Sequence, residues 1–493
     1  MTRIVVDPAR ELGSVDRNVF GGFVEHLGRC IYGGLYDEGS PLADAQGFRT
    51  DVLSLLRDFR MGVLRWPGGN FVSNYHWTDG IGPKDERPRR PELAWGAEES
   101  NRFGTDEFMA YCRQLGTEPY VCLNMGTGTL DEALAWVEYC NGAGDTAWAQ
   151  RRRDNGHPEP YGVRYWGLGN EMYGDWQVGA VSAEEYVRTA TRWARAIRML
   201  DPQAKLVSCG MNGWNDWDRV VIDGMAPLVD YHSIHIYTGD DDYWTNVLQP
   251  HQAERAIRCT RALIERAAYR QRIAEPPRIA YDEWNVWYRE MTGALEERYT
   301  FADALAVGTY LNIFVRNCDW VRMTNLAQMV NVIAPIVTTP DAVVLQPIYY
   351  PVLWHAQAAL DKAVDIYVDG PTVSPEWPAS TGRWPHRVAD LGPFRLVDAA
   401  ASVSANNSRV AVTVVNRGRD EEETVEVVLR DMAFGGSAEI RTVTAGGDGE
   451  ARTLPDIATV RITEGSESTK DGTVTLTLPP QSFTVIEAAM TSQ

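Results

Sequence analysis

The chain lacks any run of roughly 18 or more consecutive apolar residues, the length a membrane-spanning helix requires, so a soluble protein with no membrane partner is expected. Its opening, Met1-Thr2-Arg3-Ile4-Val5-Val6-Asp7-Pro8, has neither a long apolar core nor a small-residue cleavage site, and a cytoplasmic location follows as the default expectation. Positive charge is also short: 47 Lys and Arg stand against 67 Asp and Glu, a formal net charge of -20. That surplus favours solubility and argues against nucleic acid as a partner. Cysteine is sparse and scattered, seven residues with no CxxC pair, as expected of reduced, mostly buried thiols. Eight dispersed histidines form no HExxH, so neither a metal nor an organic cofactor is indicated. The Gly-rich turn Trp66-Pro67-Gly68-Gly69-Asn70 lacks the Lys-Ser/Thr or GxGxxG pattern of a phosphate cradle.

What is present is a rhythm. Between residues 15 and 355, apolar runs alternate with charged, Ala-rich, helix-like stretches, the βα alternation of a parallel sheet. Eight candidate strands run over Val19 to Glu25, Gly62 to Arg65, Pro119 to Asn124, Val163 to Asn170, Lys205 to Ser208, Tyr231 to Tyr237, Arg278 to Glu283 and Trp320 to Asn325. Helices are expected between them, among others over Ala183 to Leu200 and Gln252 to Tyr269. From about residue 392 short alternating segments follow: Arg409 to Val415, Thr424 to Leu429, Ala438 to Val443, Thr473 to Leu478 and Ser482 to Ile486. Turns such as Gly446-Gly447-Asp448-Gly449 separate them. The expected architecture is a (β/α)8 barrel over residues 15–370 and an antiparallel β-sandwich over 371–493, joined by the Pro371 to Pro393 connection and completed by an N-terminal strand within 1–14.

The chemistry sits at the ends of two of those strands. Tyr165-Trp166-Gly167-Leu168-Gly169-Asn170-Glu171 and, about 110 residues later, Tyr281-Asp282-Glu283-Trp284-Asn285 each carry an acid at the end of an apolar run. Three βα units apart, the two carboxylates face each other across the C-terminal mouth of a barrel, the pair a retaining glycosidase needs. Glu171, flanked by Trp166, Tyr173 and Trp176, is the better acid/base, because aromatic neighbours exclude water. Glu283 is the nucleophile, with Arg65 as the cation that keeps it charged. Asn170 is placed to bind the hydroxyl beside the reacting carbon. Glu25-His26, Asn70, Tyr237 and Gln328 are further polar groups at strand ends. A load of 17 Trp and 21 Tyr suits a sugar cleft, with Trp66, Trp77, Trp95, Trp176, Trp244 and Trp287 as its expected rim.

These motifs resemble the α-L-arabinofuranosidases of glycoside hydrolase family 51. The resemblance rests on Gly22-Phe23-Val24-Glu25-His26-Leu27-Gly28-Arg29, Arg65-Trp66-Pro67-Gly68-Gly69-Asn70-Phe71 and Gly167-Leu168-Gly169-Asn170-Glu171, and continues through His235-Ile236-Tyr237, Tyr281 to Trp287 and Leu326 to Val332. It implies Glu171 as acid/base and Glu283 as nucleophile. It also implies that Glu25, Arg65, Asn70, Asn170, Tyr237 and Gln328 line the subsite of a terminal arabinofuranose, with Trp287 as an aromatic wall. A homohexamer and a C-terminal sandwich completed by the N-terminal strand are further implications. The expected activity is exo-acting, retaining removal of terminal arabinofuranose from arabino-oligosaccharides. The alternative is a related barrel glycosidase acting on another furanoside, a xyloside or a β-glucan.

Overall fold

The computed structural model describes residues 1–290, 293–376, 388–446 and 459–492. Gly447-Asp448-Gly449 of the expected turn, and residues 377–387 of the expected connection, lie outside the described residues.

Eight strands close into a barrel: β1 (Gly21–Phe23), β2 (Val63–Trp66), β3 (Glu118–Leu123), β4 (Tyr165–Leu168), β5 (Lys205–Ser208), β6 (Tyr231–Thr238), β7 (Arg278–Val286) and β8 (Val321–Ala327). Every neighbouring pair is parallel, and β8 returns to β1. Each falls on an apolar run read from the sequence. The pleat sorts their side chains: in β3, Tyr120 and Cys122 point into the lumen, where they pack with Val63, Tyr165, Val207, Ala280 and Met323, while Val121 and Leu123 face the surrounding helices. This apolar plug fills the lumen beneath the mouth, and the carboxylates that follow the strands lie above it.

Two of the enclosing helices are α1 (Ala183–Leu200) and α2 (His251–Gln271), both on the stretches expected to be helical. Ser182 caps α1 by accepting the Glu185 N–H. Later in the chain, α3 (Phe301–Arg316) and α4 (Tyr349–Ala358) are buried on most of their faces.

Those two helices lie against a nine-stranded sheet. Its order is Val460–Ser468, Met432–Ala445, Ser482–Ser492, Arg409–Asn416, Val397–Val403, Lys362–Asp369, Thr2–Ser14, Glu423–Leu429 and Val474–Leu478. The pairing is antiparallel except between Thr2–Ser14 and Glu423–Leu429, which run parallel. The N-terminal strand thus sits inside the C-terminal sheet. Alternation along Val397–Val403 shows how the sheet serves two cores: Val397, Ala399, Ala401 and Val403 join its own apolar interior, while Asp398 and Ala400 face the barrel side.

Candidate active site

Glu171 stands just beyond β4, in a tight turn. Gly169 has φ +78° and Glu171 itself φ +42°, a left-handed conformation uncommon outside glycine. Gln177 holds that turn, its amide donating to the carbonyls of Asn170 (3.0 Å) and Glu171 (2.9 Å). Glu283 arrives differently. Along β7, Ala280 pairs with Ser233 but Glu283 pairs with His235, so one extra residue is accommodated in between. Such a bulge breaks the two-residue alternation. Asp282 and Glu283, consecutive residues, both present their carboxylates to the mouth.

His235 on β6 ties the acids together. Its Nδ1 lies 3.1 Å from Glu171 Oε1 and 3.1 Å from Glu283 Oε2, while Nε2 lies 3.2 Å from Asp282 Oδ1. The second oxygen of Glu283 accepts from Arg65 Nη1 at 2.9 Å, and the same nitrogen donates to the Asp282 carbonyl. Arg65 Nη2 donates to Asn170 Oδ1 at 2.6 Å, and the Asn170 amide donates to Asn70 Oδ1 at 3.2 Å. Tyr120 completes the lower tier by donating to Asp282 Oδ2 at 2.7 Å. Tyr173 and the indole of Trp176 both donate to Glu171 at 3.2 Å.

Across the mouth, Glu25 has its own shell. The Phe71 N–H (3.0 Å) and the Trp95 indole (3.1 Å) donate to Oε1, and Gln328 Nε2 donates to Oε2 at 3.1 Å. Gln328 in turn accepts the Glu25 N–H. Tyr237 and Trp287 meet edge to face, with centroids 5.2 Å apart.

Charge is distributed unevenly over these groups. Burial pushes the Glu283 carboxyl up, but the charge and hydrogen bonds of His235 and Arg65 outweigh it and hold it below the ordinary carboxylate range. Burial raises Asp282 too, and Arg65 and His235 bring it down. The His235 imidazole is lowered by burial, yet its three carboxylate neighbours lift it well above its usual value, so it is an imidazolium. Glu25 goes the other way: burial, then the charge of Glu283, push it up to about 8 despite its donors. The mouth therefore holds a charged Glu283 and a neutral Glu25 at pH 7.

Many of these groups frame a cavity of 490 Å³. Seven of the residues singled out from the sequence line it: Glu25, Asn70, Glu171, Tyr237, Glu283, Trp287 and Gln328. Arg65 and Asn170 lie beneath, almost wholly buried. The expected aromatic rim holds only in part. Trp95, Trp176 and Trp287 line the cavity, but Trp66 and Trp77 are core residues packed around Trp136, and Trp244 packs on Tyr243. Trp166, expected beside Glu171, also turns outward onto Trp136. His235 and Asp282 were not singled out as site residues. The former has a signal, since it lies two residues before Tyr237 on the same strand, whereas the bulge that turns the latter inward, beneath the cavity, leaves no periodic trace. Among the described residues, Glu171, His235 and Glu283 are also the one trio of potential metal-ligating side chains, with donor atoms within 4.8 Å of one another.

A closed parallel barrel with two carboxylates converging at its C-terminal mouth, over a sugar-sized cavity, defines a barrel-type glycoside hydrolase. Comparison with known proteins narrows the class. Residues 55–255 match the model of the α-L-arabinofuranosidase 1 domain and residues 282–482 that of the α-L-arabinofuranosidase C-terminal domain. Relatives include α-L-arabinofuranosidase C of Emericella nidulans, 44% identical over 91% of this chain and 90% of that protein. Another is an intracellular exo-α-(1→5)-L-arabinofuranosidase of Streptomyces lividans, 37% identical over 99% of this chain and 75% of that one. The structure of a thermostable family 51 α-L-arabinofuranosidase from Thermotoga petrophila is 41% identical, covers 99% of this chain and all of that one, and superposes with a TM-score of 0.90. The chain belongs to the α-L-arabinofuranosidases of glycoside hydrolase family 51.

Proposed function

We propose that this chain is an exo-acting, retaining α-L-arabinofuranosidase that releases terminal non-reducing arabinofuranose from arabino-oligosaccharides through a covalent glycosyl-enzyme. The observation that carries this reading is the Glu171–His235–Glu283 cluster, whose facing oxygens lie within 4.8 Å of one another. Retaining glycosidases keep their carboxyl groups about 5–5.5 Å apart, whereas inverting enzymes need about 6.5–9.5 Å to admit a water.

In the first step Glu171 gives its proton to the glycosidic oxygen as that oxygen leaves the anomeric carbon, and an oxygen of Glu283 bonds to the same carbon. Arg65 and His235 keep Glu283 ionised for that attack. Asn170, fixed by Arg65, holds the neighbouring hydroxyl as the oxocarbenium character develops. In the second step Glu171 takes a proton from water, the hydroxyl bonds to the anomeric carbon, and Glu283 leaves as a carboxylate. Glu25, Asn70, Tyr237, Trp287 and Gln328 form the furanose subsite, and the neutral Glu25 is a hydrogen-bond donor to the sugar.

The name of the Streptomyces relative supports an exo action and an intracellular site, and seven unpaired cysteines suit a reducing compartment. A homohexamer rests on the family resemblance and is checked by light scattering. The test of the activity is a panel of aryl furanosides and pyranosides with the unaltered chain and Glu283→Ala. Hydrolysis of arabinofuranosides is expected from the former alone, and azide should restore turnover of the variant as a glycosyl azide of inverted configuration. Cleavage confined to pyranosides would overturn the reading.

A further inference from the structure

The cavity has a direction. In the closed strand order β1 lies opposite β5 and β8 opposite β4, so Glu25 and Gln328, which follow β1 and β8, face Glu171 and the loop after β5 across the mouth. On the proposed reading, Glu171 protonates the leaving oxygen, and the leaving group therefore departs over the β4 and β5 side. The residues met there are Tyr173 and Trp176 after β4 and Met211, Asn212 and Trp214 after β5, all lining the cavity.

Trp214 is 38% exposed, a large apolar ring at the rim of a polar mouth. Its loop is not loose. Asp218, wholly buried, accepts the N–H groups of Met211 (2.7 Å), Asn212 (3.2 Å) and Gly213 (2.9 Å), and His232 Nε2 lies 3.0 Å from the same carboxylate. Asn212 Oδ1 accepts the N–H groups of Trp214 and Asn215. Gly213 has φ +84°, and a Cβ there would lie 2.3 Å from Thr260 Oγ1 and 2.5 Å from the Ala256 carbonyl, so the loop is pressed directly onto α2. A loop this constrained, presenting an indole to solvent beside a cavity, is built to offer that ring to a ligand, because sugar C–H faces stack on aromatic planes and a preset ring loses little entropy on binding. Trp176 also lines the cavity and is exposed, but its indole N–H is tied to Glu171, so a change there would disturb the acid as well as any stacking.

We propose that Trp214 is the stacking platform for the leaving-group side of the substrate, which makes the site selective for arabinofuranosides whose leaving group is itself a sugar chain. This rests on the arabinofuranosidase reading and adds the residue that reads the leaving group. The experiment compares methyl α-L-arabinofuranoside, whose leaving group is one carbon, with α-1,5-arabinotriose, using the unaltered chain, Trp214→Ala and Trp214→Phe. For arabinotriose, Trp214→Ala is expected to raise KM roughly five- to tenfold with kcat little changed, and Trp214→Phe to recover part of the loss. Both variants should hydrolyse the methyl furanoside at the parental kcat/KM. An unchanged KM for arabinotriose, or an equal loss on both substrates, would overturn the platform. Failure of the unaltered chain on both substrates would instead overturn the arabinofuranosidase reading itself.

Discussion

One imidazolium serves two carboxylates in this mouth, and that sharing sets what single substitutions should do. His235 Nδ1 faces both Glu171 and Glu283 while Nε2 faces Asp282, so Glu283, the proposed nucleophile, depends on it for charge as well as orientation. His235→Gln is expected to lower kcat by about 10²-fold, the usual scale for losing one preorganised donor. It should also shift the pH profile. Glu283 is held below the ordinary carboxylate range, so activity is lost only as pH falls through that depressed value. Without the imidazolium the acidic limb of kcat/KM moves to higher pH. Glu25 gives the opposite limb. Raised to about 8, it is protonated at neutral pH and ionises as pH rises through that value, which removes a donor and places a second negative charge near Glu283. A loss of activity near pH 8 from Glu25 is expected in the parent, and in Glu25→Gln, whose amide does not titrate, that step should be gone, leaving only the fall that follows loss of the general acid's proton. A step retained near pH 8 in that variant would assign it to another group.

At the scale of elements, the barrel strands were legible because each is an apolar run closed by polar residues. Glu171 is legible because it stands just past such a run, and Glu283 because it follows one, although β7 runs on beyond it to Val286. The β7 bulge was not, since inserting one residue changes which side chains face inward without altering composition, and Asp282 was hidden with it. The aromatic rim was overread for a related reason: Trp66 and Trp77 look the same in sequence whether they face sugar or core. The end of β7 is fastened by Asn285, fully buried, whose amide donates to the carbonyls of Ala327 (2.6 Å) and Ile333 (2.5 Å). This ties the strand of Glu283 to the β8 loop that carries Gln328. Asn285→Ala leaves two buried carbonyls without that partner and is expected to cost about 2–4 kcal/mol, seen as a lower Tm by calorimetry. A change below about 0.5 kcal/mol would mean the loop is held by other contacts.

In the whole molecule, the sheet is fastened to the barrel through polar groups buried at their junction. Asp398 accepts from Asn312 (2.8 Å) and Arg316 (3.2 Å) on α3, and Asn312 Oδ1 accepts from Thr413 and lies 3.0 Å from His355 Nε2 on α4. Little of this could be read from sequence. Val397–Val403 is rich in small residues, and Val460–Ser468 is exposed along nearly its whole length, so neither carries the alternation that marks a half-buried strand. Asp398→Ala leaves Arg316 with Glu254 (2.9 Å) as its remaining carboxylate and takes the acceptor from the Asn312 amide, and is expected to destabilise by about 2 kcal/mol. The pH dependence has a definite sign. Burial raises Asp398, but Arg316, Arg417 and His251 bring it below its ordinary value. Its contribution is therefore present above about pH 4 and lost as pH falls through the depressed value, so the gap in Tm between parent and variant should narrow in acid. A gap independent of pH would show that packing, not charge, fastens the sheet.

A covalent bond between Glu283 and the sugar is what the proposed mechanism requires. The most direct measurement is the mass of the protein and its proteolytic peptides after reaction with an activated 2-deoxy-2-fluoro arabinofuranoside, which slows release from the enzyme. A single pentosyl adduct on the side chain of Glu283 is the expected result. Release of sugar without any adduct, with product of inverted configuration, or an adduct on Glu171, would contradict it.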